Sequence, residues 1–182
     1  WRPEGRWSRY VHVDLALRKD ACGLAMAHLE KTPGQDEPTA VVDLMLQIVP
    51  PETGEIKIAS VRELIMALRR RGCEIAQVSF DGYQSADSRQ ILSDSGFNVK
   101  LVSVDRDMEA YETLKEMLNE GRLRWYRDEP ALQEGKGLEL VGGTKVDHRH
   151  GGSKDVADAV AGAVSEAVLG WPLDPRTAML SE

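Results

Sequence analysis

The chain has 182 residues, 42 % hydrophobic and 29 % charged, with a formal net charge of −7. That length holds one domain with a full core and excludes two large ones, and the composition excludes a disordered, collagenous or coiled-coil description of the whole. The balance of 23 Lys and Arg against 30 Asp and Glu argues, taken alone, against a nucleic-acid partner. No run approaches the ~20 apolar residues that cross a bilayer. Trp1-Arg2-Pro3-Glu4 does not read as the start of a signal peptide. The expectations are no membrane, no secretion by that route, and a cytoplasmic location. Cys22 and Cys73 stand far apart without metal-ligand spacing, which argues against a disulfide framework or a zinc ribbon.

In chain order, hydrophobic alternation predicts a first strand over Tyr10 to Leu17, then strands over Gly23 to His28 and Val41 to Val49, a three-strand antiparallel meander. Ile48 to Ile58, with Pro50, Pro51 and Gly54 at its tip, reads as a hairpin or as a plain connection. Ile58, Val61, Leu64, Ile65 and Leu68 recur at helical spacing and stop at Arg69-Arg70-Arg71-Gly72, with cations at the helix C-terminus and glycine as the stop. A buried strand over Ile75 to Asp81, a helix from Ala86 to Ser95 and a strand over Val99 to Val104 follow. That alternation implies parallel neighbours. Met108 to Asn119 predicts an amphipathic helix. Arg122 to His150 is less regular, with a short helix near Pro130 to Gly135 and a strand at Lys145-Val146. Lys154 to Leu169 predicts a helix apolar at every turn. Residues 1–170 form the expected domain and 171–182 a tail. The order predicts an α/β fold with a mixed five-stranded sheet, three antiparallel strands then two parallel ones. This is the ribonuclease H type of architecture, although other α/β folds give the same string.

Carboxylates carry the chemistry. Asp14 lies within the first apolar strand, where a charge is costly to bury unless paired or metal-bound; a solvent-facing strand position is the plain alternative. Asp81 ends the fourth strand before Gly82, at a favoured place for sites or in an ordinary Asx turn. Asp155 and Asp158 are three residues apart at the start of the last helix, about 60° apart around its axis. Helix capping, with Ser153 as N-cap, explains part of that pattern. By helical rotation Asp155 should point more directly toward the sheet and Asp158 away from it. Should the first and fourth strands be neighbours under the last helix, Asp14, Asp81 and Asp155 converge with Asp158 close by. Oxygen ligands without Cys or a spaced His pair select Mg²⁺ or Mn²⁺. Two such ions roughly 4 Å apart suit phosphodiester hydrolysis.

Val11-His12-Val13-Asp14-Leu15-Ala16, Phe80-Asp81-Gly82-Tyr83-Gln84-Ser85 with Gln90, Leu92 and Gly96, Val102-Ser103-Val104-Asp105, and Asp147-His148 leading into Ser153-Lys154-Asp155-Val156-Ala157-Asp158-Ala159 occur in this order over nearly the full length. In these segments the chain resembles the C-terminal nuclease domain of the large terminase subunit of tailed bacteriophages. The resemblance implies a ribonuclease H-like endonuclease that cuts concatemeric double-stranded viral DNA when packaging begins and ends, in the cytoplasm of an infected bacterium. It implies Asp14, Asp81 and Asp155 as catalytic and metal-binding acids, Asp158 as a further ligand and Asp20 as an auxiliary one, or as a turn residue. It implies two divalent ions, Mg²⁺ or Mn²⁺. Its partners would be DNA, the terminase ATPase domain, the small terminase subunit and the portal of the procapsid. No Gly-x-x-x-x-Gly-Lys-Ser/Thr loop occurs, so the motor activity is expected outside this sequence.

Lys154 beside the acids and Arg149 just before them are candidate DNA contacts, with exposed surface positions as the alternative. Arg122, Arg124 and Arg127, interleaved with Trp125 and Tyr126, could track a DNA backbone. Arg69 to Arg71 fit a helix C-terminus better. A RuvC-like resolvase or a ribonuclease H would use the same acids on branched DNA or hybrids, and a non-catalytic portal or motor docking module would not use them at all. Without Asp14, Asp20, Asp81, Asp155 and Asp158, the −7 falls to −2. The acidity is thereby concentrated where two divalent ions would reverse it, and the domain alone is expected to hold DNA weakly.

Overall fold

The computed structural model describes residues 5–15, 21–31, 34, 36–52, 54–82, 85–104 and 108–171. Its strands are β1 (Arg9–Asp14), β2 (Cys22–Glu30), β3 (Thr39–Ile48), β4 (Ile75–Phe80), β5 (Val99–Leu101), β6 (Leu123–Arg124), β7 (Leu138–Val141) and β8 (Lys145–His148). The helices are α1 (Ile58–Arg70), α2 (Ala86–Asp94), α3 (Glu109–Asn119), α4 (Glu129–Gly137) and α5 (Asp155–Gly170). Six strands form one sheet in the order β5-β4-β1-β2-β3-β6, and β7 and β8 form a separate hairpin. The β1–β2 and β2–β3 pairs are antiparallel, whereas β1–β4 and β4–β5 are parallel. The expected three antiparallel and two parallel strands are therefore present, with β6 added in parallel along β3. Two residues are too few for alternation to register, so β6 leaves no periodic signal in the sequence.

Helices cover both faces. Val11, Val13, Leu24, Val78 and Phe80 pack with Ile65, Leu68 and Leu92 of α1 and α2. The opposite face packs against α3, α4 and α5, with Ala25, Ala27, Val160, Val164, Tyr111 and Leu114 in one cluster. From Val156 to Ala167 α5 is buried on every side, as expected of a helix apolar all round. Among the described residues no helix is long and apolar enough to cross a membrane.

Strand periodicity of two fixes what faces α5. Val11 and Val13 turn to α1 and α2, so Tyr10, His12 and Asp14 turn to α5. The two glycines of α5 make that contact close. A side chain at Gly162 would meet the His12 ring at 2.5 Å, and one at Gly170 would meet the Tyr10 hydroxyl at 1.9 Å. His12 is fully buried. Its Nδ1 hydrogen-bonds Ser79 Oγ at 2.8 Å, and that hydroxyl also lies 3.3 Å from the Val11 carbonyl. Nε2 has no partner, and burial lowers the imidazole pKa to about 4, keeping it neutral.

Several boundaries differ from the sequence reading. The first strand ends at Asp14, not Leu17, because its ladder with β2 closes at the Asp14–Gly23 pair; Asp14 is thus at a strand end and not within the strand. Of the two readings of 48–58, hairpin or plain connection, the second holds: no return strand occurs there among the described residues. Pro50 and Pro51 lack the amides a ladder needs, and the segment simply connects β3 to α1. The expected strand over Val99 to Val104 shortens to β5: after the Val102 amide bonds the Phe80 carbonyl, the Val104 amide bonds the Asp81 carboxylate instead.

Candidate active site

Asp14 and Asp81 occupy the carboxyl ends of adjacent parallel strands. Val13 pairs with Phe80, and the Asp81 amide continues the ladder to the Val13 carbonyl at 2.9 Å. Gln77, Ser79 and Asp81 alternate onto the α5 face as Tyr10, His12 and Asp14 do. Gln77 bonds Glu166 of α5, and Ser79 bonds His12. Both acids therefore project from the same face, where the chain passes from a parallel to an antiparallel neighbour. Asp81 is held by the Val104 amide at 3.3 Å.

The first turn of α5 reaches these acids over a glycine. Gly23 is the ladder partner of Asp14, and a side chain on it would lie 1.8 Å from the Asp155 carbonyl oxygen. No real Cβ tolerates such a contact with backbone, so only glycine admits the start of α5 here. The Asp155 backbone thereby lies over the ladder partner of Asp14. Burial raises the Asp14 pKa from 3.8 to about 8, reinforced by the charges of Asp158, Asp155 and Asp81 and opposed by Lys154. The same surroundings push the Cys22 thiol to about 12, through burial and then Asp14 and Asp155. Cys22 and Cys73 are both buried free thiols.

Asp158, expected to be rotated further from the sheet than Asp155, is 3 % exposed, accepts a hydrogen bond from Tyr111 of α3 and pairs with Lys154. Rotation relative to the sheet does not bring it to water because α3 and α4 cover the far side of α5. Lys154 is accordingly not an exposed surface lysine; its side chain is 11 % exposed and lies along the first turn. Ser153 is not the N-cap of α5, although its Oγ accepts from the Asp155 amide at 3.5 Å. The helix N-cap is Lys154, without a side-chain cap bond. The amides of Val156 and Ala157 donate instead to Glu134 of α4, at 2.8 and 2.9 Å. Ser153 Oγ lies between Glu134 Oε1 at 2.9 Å and Asp155 Oδ2 at 2.6 Å.

The basic candidates disperse. Arg149 is exposed and donates to Glu139 across the β7–β8 hairpin at 2.7 Å. Arg122 donates to the Pro38 carbonyl at 3.0 Å and to Glu120, and Arg124 pairs with Glu30. Both sit at the Glu30–Thr39 end of the sheet, seven strand residues from Gly23 or roughly 23 Å, so the fold does not bring them to the acids. Trp125 packs on the core, and the Tyr126 hydroxyl bonds the Met45 amide and carbonyl, which supports the part of β3 beyond its short pairing with β6. Arg69 lies 3.6 Å over the Phe97 ring and donates to the Ser95 and Gly96 carbonyls, a structural role. Asp20, Tyr83, Gln84, Asp105 and the tail from 172 lie outside the described residues.

The gathered donors are all carboxylate oxygens, the set that suits Mg²⁺ or Mn²⁺. Among the described residues no three His, Cys, Asp or Glu side chains stand in finished ligating geometry around one point. Asp81 and Asp155 are held by Val104 and Ser153, and Asp158 by Tyr111 and Lys154. Burial and the charges of Asp158, Asp155 and Asp81 crowd Asp14, and a cation there would relieve that crowding.

No protein-family model matches the chain, and no curated protein matches it in sequence. Solved structures match its fold. The large terminase of bacteriophage HK97 aligns with a TM-score of 0.70 at 15 % identity, over 91 % of this chain and 40 % of that one. The chain thus spans well under half of that protein's length. The large terminase nuclease of thermophilic phage G20c, with bound magnesium, aligns at 0.65 and 16 % identity, over 91 % and 84 % of the two chains. RuvC of Thermus thermophilus aligns at 0.50 and 14 %, over 92 % and 97 %. The fold is the RNase H-like fold that large-terminase nuclease domains share with RuvC.

Proposed function

We propose that this chain is a divalent-metal-dependent endonuclease of the large-terminase type, which hydrolyses phosphodiesters of concatemeric double-stranded DNA at the start and end of genome packaging. The observation that carries the reading is the seating of Asp155 over Gly23, which brings the first turn of α5 to Asp14 and Asp81 at the ends of two parallel strands. Asp14, Asp81 and Asp155 would hold the ions, two in number, Mg²⁺ or Mn²⁺, with Asp158 behind them. When bound, divalent ions supply Lewis-acid charge to the phosphoryl oxygens and lower the pKa of water.

The chain's own residues do the remainder. Asp14, on the rigid central strand, and Asp81, tied to Val104, present oxygens from fixed backbone, which preorganises negative charge at one point. Asp158 keeps the Lys154 ammonium beside the acids, where it would meet a DNA phosphate. Arg149, on the hairpin that leads into α5, would reach the backbone further out. In the reaction a water oxygen bonds to phosphorus as the ester P–O bond breaks, and the products are a phosphate monoester and a hydroxyl. An ATPase domain, a small terminase subunit and a portal are the partners this reading supplies.

Plasmid cleavage in Mn²⁺ tests it. Asp81→Ala is expected to reduce cleavage at least a hundredfold. Cleavage at wild-type rate by the variant would reject the site and leave a docking module as the alternative. Faster cutting of four-way junctions or RNA–DNA hybrids than of duplex DNA would reject the terminase reading in favour of a resolvase or ribonuclease H.

A further inference from the structure

We infer that Glu134 is a positioning residue for the acid site: its carboxylate, supplied by another helix, caps α5 and holds the Asp155 backbone over Gly23, the ladder partner of Asp14. This inference rests on the metal-dependent reading of the site and deepens it.

A helix begins with amides that have no partner within the helix. In α5 none of the first residues supplies a capping side chain. Glu134 Oε2 accepts from both Val156 and Ala157, a charge-assisted pair at the positive end of the helix dipole. Glu134 is 7 % exposed, so this contact is not a surface accident.

The second oxygen extends the contact to both neighbours of the site. Glu134 Oε1 accepts from Ser153 Oγ, which touches Asp155, and from Gln47 Nε2 at 3.3 Å. Gln47 is the β3 ladder partner of Gly23, and Gly23 is the β2 partner of Asp14. One carboxylate thus joins the start of α5 to the strand that flanks Gly23, and so fixes the helix in the register where Asp155 lies over that glycine. Its own helix is anchored in turn, because Asp128 caps α4 by accepting from the Ala131 amide at 3.0 Å. Removing the cap frees α5 to withdraw from Gly23, and Asp155 goes with it.

The test uses the 182-residue chain as wild type, Glu134→Ala, Glu134→Asp and Glu134→Gln. Mn²⁺ binding is followed by the paramagnetic resonance of free Mn²⁺, exchange of the Val156 and Ala157 amides by mass spectrometry, and cleavage by kcat and KM. Ala is expected to speed exchange at both amides and weaken Mn²⁺ binding at least tenfold, with kcat falling at subsaturating metal and KM for DNA unchanged. Asp keeps the charge but loses one methylene of reach and is expected to behave as Ala; it carries the test if Ala fails to fold. Gln retains a carbonyl acceptor for the two amides and an Nε2 that donates to Ser153 Oγ and, once the Gln47 side-chain amide turns over, to Gln47 Oε1, and is expected to restore Mn²⁺ affinity to within threefold of wild type. Wild-type Mn²⁺ affinity in folded Ala and Asp variants, or a Gln variant as weak as Ala, would overturn the inference alone. A wild-type chain that binds no Mn²⁺ would overturn the reading of the site and this inference with it.

Discussion

Replacing Asp14 by Asn is expected to stabilise the metal-free chain at pH 8 and to change it little near pH 4. The folded chain holds a proton on Asp14 up to about pH 8, whereas an unperturbed aspartate releases it near 3.8. Between those values the unfolded state binds fewer protons, so this group's contribution to stability is complete below pH 4, falls as pH rises to about 8 and is level above. At ~1.4 kcal/mol per unit the full separation corresponds to about 5–6 kcal/mol. Asp14 keeps part of its surface in water, and screening cuts this to roughly 2–3 kcal/mol. Asn keeps the shape and removes the ionisation. Scanning calorimetry in a chelator checks it: a chain of this size shifts Tm by ~2–4 °C per kcal/mol, so the variant's advantage should grow by roughly 3–8 °C between pH 5 and pH 8. Added Mg²⁺ should stabilise the wild type more at pH 8 than at pH 5. A difference between variant and wild type that stays constant across that range would refute the charge crowding assigned to Asp14.

Gly23→Ala places a methyl group 1.8 Å from the Asp155 carbonyl oxygen; relief requires α5 to move, at a cost of about 1–3 kcal/mol or more, and cleavage should fall at least tenfold. Wild-type Tm and cleavage in that variant would contradict the close approach. Duplex binding by the isolated chain should be weak, strengthen when Mg²⁺ is added, and fall log-linearly with salt; fluorescence anisotropy between 50 and 200 mM salt that stays level would contradict an electrostatic contact.

Periodicity carried the sequence reading a long way. The alternation through Val11, His12 and Val13 and the unbroken apolar surface of α5 are local patterns, and they put Asp14 and Asp81 at strand ends and Asp155 at the start of α5. What escaped was contact between elements distant in sequence. The burial of Asp158 depends on α3 and α4 packing over α5, and nothing at helical spacing announces that. Glu134 reads as an ordinary acid on a short helix, since a cap donated from another helix leaves no sequence motif. Gly23 did leave a trace, because a lone glycine in a strand signals a close backbone approach. Arg122 and Arg124 looked like a basic track because the sequence does not reveal that β6 lies along the far end of β3.

The central claim is that Asp14, Asp81 and Asp155 hold divalent ions between them. A crystal soaked in Mn²⁺ and measured at the manganese edge tests it directly. Anomalous density bounded by those three carboxylates, and absent in an Asp14→Asn crystal, is the predicted result. Full carboxylate order without anomalous density there, at Mn²⁺ concentrations that support cleavage, would contradict it.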